Sequence, residues 1–164
     1  MKIHICGIYG SGKTTLAKYL SEEFDIPFYS LDDIKYIVKY SKIRSVEEIK
    51  ENVKIISKKD NWITEGSWSD FAEPIFKEAD LVVHLTIPRI TCMWRILKRY
   101  LSREKCENDN LLGVWKLIKK VHQYYYWEKP ISAYAHRAII AKHKKNHLIL
   151  RNTKNILKKI QTHH

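Results

Sequence analysis

GIYGSGKTT, residues 7 to 15, is the stretch that decides the fold. It follows a short apolar run, Ile3 to Cys6, and places Gly7, Gly12, Lys13 and Thr14 at the spacing G-x-x-x-x-G-K-[ST] of a phosphate-binding loop. Glycines let successive backbone N–H groups converge on phosphate oxygens, and the start of a helix adds partial positive charge. A lysine at this position reaches the outer phosphates, and a threonine hydroxyl after it suits Mg²⁺. The cofactor-binding stretch is therefore Gly7, Tyr9, Gly10, Ser11, Gly12, Lys13, Thr14 and Thr15, with a nucleotide as ligand.

The flanks fit that reading. Lys2 to Cys6 reads as a buried strand, and Lys13 to Phe24 as a helix with Leu16, Leu20 and Phe24 on one face. Further strands are expected over Pro27 to Ser30, Asn61 to Glu65, Asp80 to Ile87 and His147 to Leu150. Helices are expected through Tyr36 to Tyr40, over Ser45 to Ser57 behind a Ser45/Glu48 capping box, and over Ile90 to Arg103. Pro74 is read as part of a loop. A long helix with an aromatic middle follows residue 110, a helix over Ala133 to Lys144 comes next, and Thr153 to Ile160 closes the chain. Strands alternating with helices imply crossover connections and an α/β fold with a parallel sheet.

Length and composition set the bounds. The 164 residues support one domain, 1–164. No run approaches the roughly 20 apolar residues of a membrane span, and no signal peptide is evident, so a soluble cytoplasmic protein without a membrane partner is expected. Cys6, Cys92 and Cys106 show no C-x-x-C spacing and read as reduced thiols. Histidines are dispersed without a metal-binding pair motif. Charge is uneven: residues 1–82 hold 12 Lys and Arg against 14 Asp and Glu, a net of −2, while residues 83–164 hold 18 against 4, a net of +14. The basic half suits nucleotide phosphates, nucleic acid or plain solvation.

Phosphoryl transfer needs carboxylates, one to assist the metal and one to orient or deprotonate the acceptor. Asp32 and Glu65 fall just beyond the carboxyl ends of expected strands, the edge at which open α/β sheets bind ligands. Of Asp32 and Asp33, one is expected to cap a helix and the other to face the site. Asp80 precedes its strand and reads as structural. Arg95, Arg99 and Arg103 recur at a spacing of four, so they form either a cationic clamp or a solvated basic face, with Arg89 a weaker candidate. Trp115, Ile118, His122 and Tyr125 fall at helical spacing and read as a packed face in preference to a base-stacking platform.

Taken in order, the loop, SLDDI (30–34), WITEGSW (62–68) and IPRITCMWRILKR (87–99) resemble the FlaR-related, or DNA topology modulation, P-loop proteins. Those are in turn similar to adenylate and shikimate kinases. The resemblance implies a three-layer α/β/α P-loop NTPase fold with a five-stranded parallel sheet ordered 2-3-1-4-5. It also implies a small helical lid, here about residues 89–128. Glu65 would take the Mg²⁺-linked role, Arg95 and Arg99 would be lid arginines, and Arg99 with the Arg151 to Lys154 turn would contact adenine. Where nucleoside monophosphate kinases carry an arginine after an Asp-Gly pair, this chain has Ser67-Trp68-Ser69, and it lacks the shikimate-kinase triple glycine. Neither acceptor is therefore expected. The implied protein uses ATP and Mg²⁺ to phosphorylate a small acceptor, with Lys13, Asp32, Arg95 and Arg99 as catalytic residues. The alternative is a nucleotide-dependent regulator that binds nucleic acid through its basic half.

Overall fold

A computed structural model describes residues 1–38, 42–102, 111–126, 131–152 and 156–161. The chain opens with β1 (Lys2–Gly7), α1 (Lys13–Phe24), β2 (Phe28–Ser30), α2 (Leu31–Lys35), β3 (Tyr36–Val38) and β4 (Lys42–Ile43). It continues with α3 (Val46–Ser57), β5 (Trp62–Glu65), α4 (Glu73–Glu78), β6 (Leu81–Leu85), α5 (Arg89–Leu101) and α6 (Leu111–Tyr124). Then come α7 (Ala133–Lys142), β7 (His147–Leu150) and α8 (Ile156–Gln161).

Five strands pair in the order β2-β5-β1-β6-β7, every ladder parallel. Counted along the chain this is 2-3-1-4-5, the order that the resemblance implies. Side chains alternate across β1, so Ile3 and Ile5 point to one face and His4 and Cys6 to the other. Both faces are covered. Ile3, Ile5, Val83 and Leu85 pack with Leu16 and Leu20 of α1 and with Ile96 and Val121 of α5 and α6. Cys6, Trp62 and Val82 pack with residues of α2, α3, α4 and α7. Complete burial of β6 explains why its sequence is a nearly unbroken apolar run. No helix among the described residues is long and apolar enough to cross a membrane.

Four expectations are corrected. The helix expected through Tyr36 to Tyr40 is instead a five-residue α2 followed by the β3–β4 hairpin. Arg44 Nη1 donates to the carbonyls of Asp33, Ile34 and Tyr36 at 2.7, 3.0 and 2.8 Å, taking up groups that a continuing helix would use. Asp32 and Asp33 lie in the first turn of α2, and Ser30 occupies the cap position. Pro74 belongs to α4, within the first turn, where a missing N–H costs nothing. In α6 the packed face is Val114, Val121 and Tyr124, whereas Trp115 is exposed. By contrast α3 carries the expected reciprocal Ser45/Glu48 capping box. Arg103, Cys106, residues 103–110 and 127–128 of the expected lid, and Lys154 lie outside the described residues.

Candidate active site

The loop between β1 and α1 runs over the carboxyl edge of the sheet. Gly7, Gly10 and Gly12 all have positive φ, and a Cβ on Gly10 would meet the Cys92 carbonyl oxygen at 2.6 Å. Only glycine fits there, because α5 packs directly on the loop. Lys13 is buried and its Nζ donates to the Ile8 carbonyl at 3.0 Å, which leaves ammonium protons for a ligand. The Ser11 hydroxyl is buried with no hydrogen-bond partner among the described residues. An orphaned donor in a glycine loop at a helix N-terminus fits phosphate oxygens.

Glu65 ends β5 beside this loop and is 4 % exposed. Its carboxylate accepts from Ser30 Oγ at 2.9 Å, and Thr14 lies near enough to favour its charged form. Burial raises its pKa above the ordinary carboxylate range, and the charge of Lys13 opposes that rise. Thr14 and Glu65, expected to hold Mg²⁺ together, thus lie near one another. A hydroxyl beside a carboxylate is a hard-oxygen donor set of the kind Mg²⁺ takes.

Asp32 is half-buried and faces the site, and its Oδ1 accepts from Trp68 Nε1 at 2.7 Å, while Asp33 is exposed. Lys35 lies with its ammonium 3.1 Å from the Trp68 ring centroid, and Phe71 stacks on Trp68 at 5.7 Å. Burial lowers the pKa of Lys35, and Asp70 and Asp32 counteract this. Lys120 of α6 reaches over the loop, 5.4 Å from the Tyr9 ring. Ser67 Oγ donates to the Gly7 carbonyl at 2.6 Å. Lys35, Ser67, Trp68 and Lys120 carry no motif of their own, and only the folded chain brings Ser67 and Lys120 to the loop and Lys35 to Trp68. The one available signal was the WITEGSW segment, in which Ser67 and Trp68 stand where the resemblance aligns an arginine of nucleoside monophosphate kinases.

Arg95 Nη1 donates to the carbonyls of Ser11 at 3.1 Å and Gly10 at 3.4 Å, tying α5 to the loop. A cavity of about 420 Å³ opens beside it, lined by Ser11, Thr15, Leu16, Tyr19, Arg95 and Ile156. Its apolar and aromatic walls suit a base or ribose. Arg99 and Arg151 are exposed and stand outside the residues lining it. Asp80, on the opposite edge, accepts from the Lys2 backbone N–H at 2.7 Å, a structural contact.

A family model described as AAA domain matches residues 3–115, from β1 into α6. Among solved structures, shikimate kinase from Bacteroides thetaiotaomicron is similar with a TM-score of 0.58 at 14% identity, over 99% of this chain and 94% of that one. An uncharacterized protein from Eubacterium ventriosum ATCC 27560 is similar with a TM-score of 0.52 at 14% identity, over 99% and 98%. Shikimate kinase from Aquifex aeolicus vf5 gives 0.48 at 20% identity, over 99% and 94%. The two likenesses with a TM-score above 0.5 show, at such identities, the fold alone. None of the curated proteins matches the chain.

Proposed function

The chain belongs to the AAA domain family, and from that premise we propose that it transfers the γ-phosphoryl group of ATP, with Mg²⁺, to a small hydroxylated acceptor. One observation carries this reading: Lys13 and Thr14 of the loop, Glu65 and Asp32 converge on the same sheet edge. The loop N–H groups, Ser11 and Lys13 would hold the phosphates, and Thr14 with Glu65 would hold Mg²⁺. The metal supplies charge neutralisation at the phosphoryl oxygens. Lys13, Arg95 and, from the same helix, Arg99 stabilise negative charge on the group in transit. Arg95, now on loop carbonyls, has a planar fork that can turn toward phosphate oxygens. Asp32, held through one oxygen by Trp68, orients the acceptor hydroxyl and takes its proton.

The test is ATP consumption with Mg²⁺ against a panel of nucleosides, nucleotides and hydroxylated metabolites, with Lys13→Ala as blank. Stimulation by one acceptor, lost in the blank and reduced in Asp32→Asn, is expected. Unchanged turnover in Asp32→Asn overturns the base assignment.

The net +14 of residues 83–164 favours a second reading, a nucleotide-switched regulator that binds nucleic acid, as the DNA topology modulation resemblance implies. Its affinity for generic DNA would fall steeply with salt as phosphate contacts release counterions. Filter binding at two salt concentrations separates the two readings.

A further inference from the structure

Beside Asp32 stands positive charge that the phosphoryl-transfer scheme leaves unused. Asp32 and Lys35 are three residues apart on α2, so they share one face of that helix, with side chains rooted about 5–6 Å apart. One indole holds both. Trp68 donates from Nε1, in its ring plane, to Asp32 Oδ1 at 2.7 Å, and its π face carries the Lys35 ammonium 3.1 Å from the ring centroid. Phe71 stacks on the same indole. From α6, Lys120 lies over the Tyr9 ring at 5.4 Å, and the Lys13 ammonium stands 5.9 Å from that ring. Lys35 and Lys120 are near enough for Lys35 to feel the other's charge, and the carboxylates of Asp70 and Asp32 also act on Lys35. Among the described residues neither ammonium is taken by a hydrogen bond or an ion pair.

Assigning each charge its part in the transfer shows what is left over. Lys13 faces the ATP phosphates, Glu65 faces Mg²⁺ and Asp32 faces the acceptor hydroxyl. Lys35 and Lys120 then stand against the single exposed carboxylate of Asp70. Two like charges brought together from α2 and α6 repel, and an anion placed between them turns that repulsion into two attractions. An ammonium carries three donors and no rigid fork, so it receives a carboxylate or a phosphate alike.

We infer that the acceptor is an anion, a hydroxylated carboxylate or phosphate ester whose hydroxyl meets Asp32 while its negative group, a few bonds away, is held by Lys35 with Lys120. Lys35 is thereby the specificity-determining residue, because Trp68 sets its ammonium and the Asp32 carboxylate in one fixed relation. A neutral alcohol of the same skeleton leaves both ammonium groups unpaired and is rejected. The inference rests on the proposed phosphoryl transfer and narrows its acceptor. In that transfer the acceptor hydroxyl oxygen bonds to the γ-phosphorus and the bond from that phosphorus to the ADP oxygen breaks, its electron pair leaving on ADP. The hydroxyl proton passes to Asp32, and the anionic group is unchanged.

Titration calorimetry on the full chain, saturated with Mg²⁺ and a non-hydrolysable ATP analogue so that the phosphate loop is occupied, tests this without turnover. The probes are matched sets: glycerol, glycerate and glycerol 3-phosphate, then ribose, ribonate and ribose 5-phosphate. Anionic members are expected to bind and neutral ones not, with the carboxylate and ester arms telling which anion the site takes. Lys35→Gln weakens anion binding roughly 10- to 100-fold, and Lys35→Arg restores part of it. Binding of the ATP analogue checks that each variant is folded. The inference is overturned if neutral and anionic probes bind alike, if Lys35→Gln binds anions as wild type does, or if anion binding vanishes once the analogue fills the loop. It is overturned too if the analogue binds and no anion does, an outcome that leaves phosphoryl transfer standing. Failure of the analogue itself to bind counts against the transfer reading, and anion titrations of wild type and Lys35→Gln without it still decide the role of Lys35.

Discussion

Tyr124→Phe isolates the buried chain that joins α6 to the phosphate loop. The ring is 1 % exposed and its volume is kept, so no cavity opens and only the hydroxyl is lost. Two hydrogen bonds go with it, to His84 Nε2 at 3.0 Å and His136 Nδ1 at 2.8 Å, both on fully buried side chains. A buried donor or acceptor stripped of its partner costs about 1–3 kcal/mol. Two such groups, offset by the hydroxyl no longer needing to be desolvated, put the loss at about 3 kcal/mol. That is a large part of the 5–15 kcal/mol typical of a whole domain and lowers the melting temperature by about 6–12 °C. Tyr125→Phe is the internal control, because its hydroxyl makes one bond, to the Ile87 carbonyl at 2.8 Å, and its loss costs about 1 kcal/mol. Urea unfolding of all three proteins, with chelator present and a shared m-value, reads the difference. A Tyr124→Phe loss no greater than that of Tyr125→Phe would refute the hydrogen-bond chain.

Other outcomes follow from the loop and its surroundings. Burial raises the Glu65 pKa in the folded state, so the folded protein holds this proton more tightly than the unfolded chain does. Its stabilising contribution is complete below the unfolded carboxylate pKa and is lost as pH rises through the folded one. Glu65→Gln therefore melts higher than wild type at pH 8 without Mg²⁺, with the gap closing at pH 4, while Mg²⁺-dependent turnover is lost; a lower melting temperature at pH 8 contradicts this. Gly10→Ala places a Cβ 2.6 Å from the Cys92 carbonyl at φ +74°, and about 1–3 kcal/mol of strain is expected in denaturation with weakened nucleotide binding. Trp68→Phe frees Asp32 from its 2.7 Å donor and is expected to lower kcat more than it raises the acceptor KM, as steady-state kinetics would show.

What could be read from the sequence was what local physics controls. The glycine loop, the amphipathic α1, the Ser45/Glu48 box and the apolar run of β6 each carry their signal within a few residues, and each stands where it was expected. Local signals misled where a distant group intervened. Arg44 ends α2 by taking the carbonyls of Asp33 and Ile34 and that of Tyr36 just beyond, and no pattern within residues 31–40 announces it. Pro74 reads as a breaker unless the start of α4 is known. In α6 the aromatic residues suggested a phase that buries Trp115, whereas the sheet takes Val114, Val121 and Tyr124. At the site, Lys13, Thr14, Glu65 and Asp32 were legible from motif and strand ends. Lys35 and Lys120 were not, because their approach to Trp68 and Tyr9 comes from packing between elements far apart in the chain.

The fate of the γ-phosphoryl group tests the central claim most directly. ATP labelled at the γ-phosphorus is incubated with the protein, Mg²⁺ and each candidate acceptor in turn, beside Lys13→Ala. The account predicts that label leaves ATP and appears on one acceptor, at a rate that acceptor raises, and stays in ATP with the variant. Tight binding of ATP with the label retained whatever acceptor is present would contradict it, and would favour the nucleotide-switched regulator.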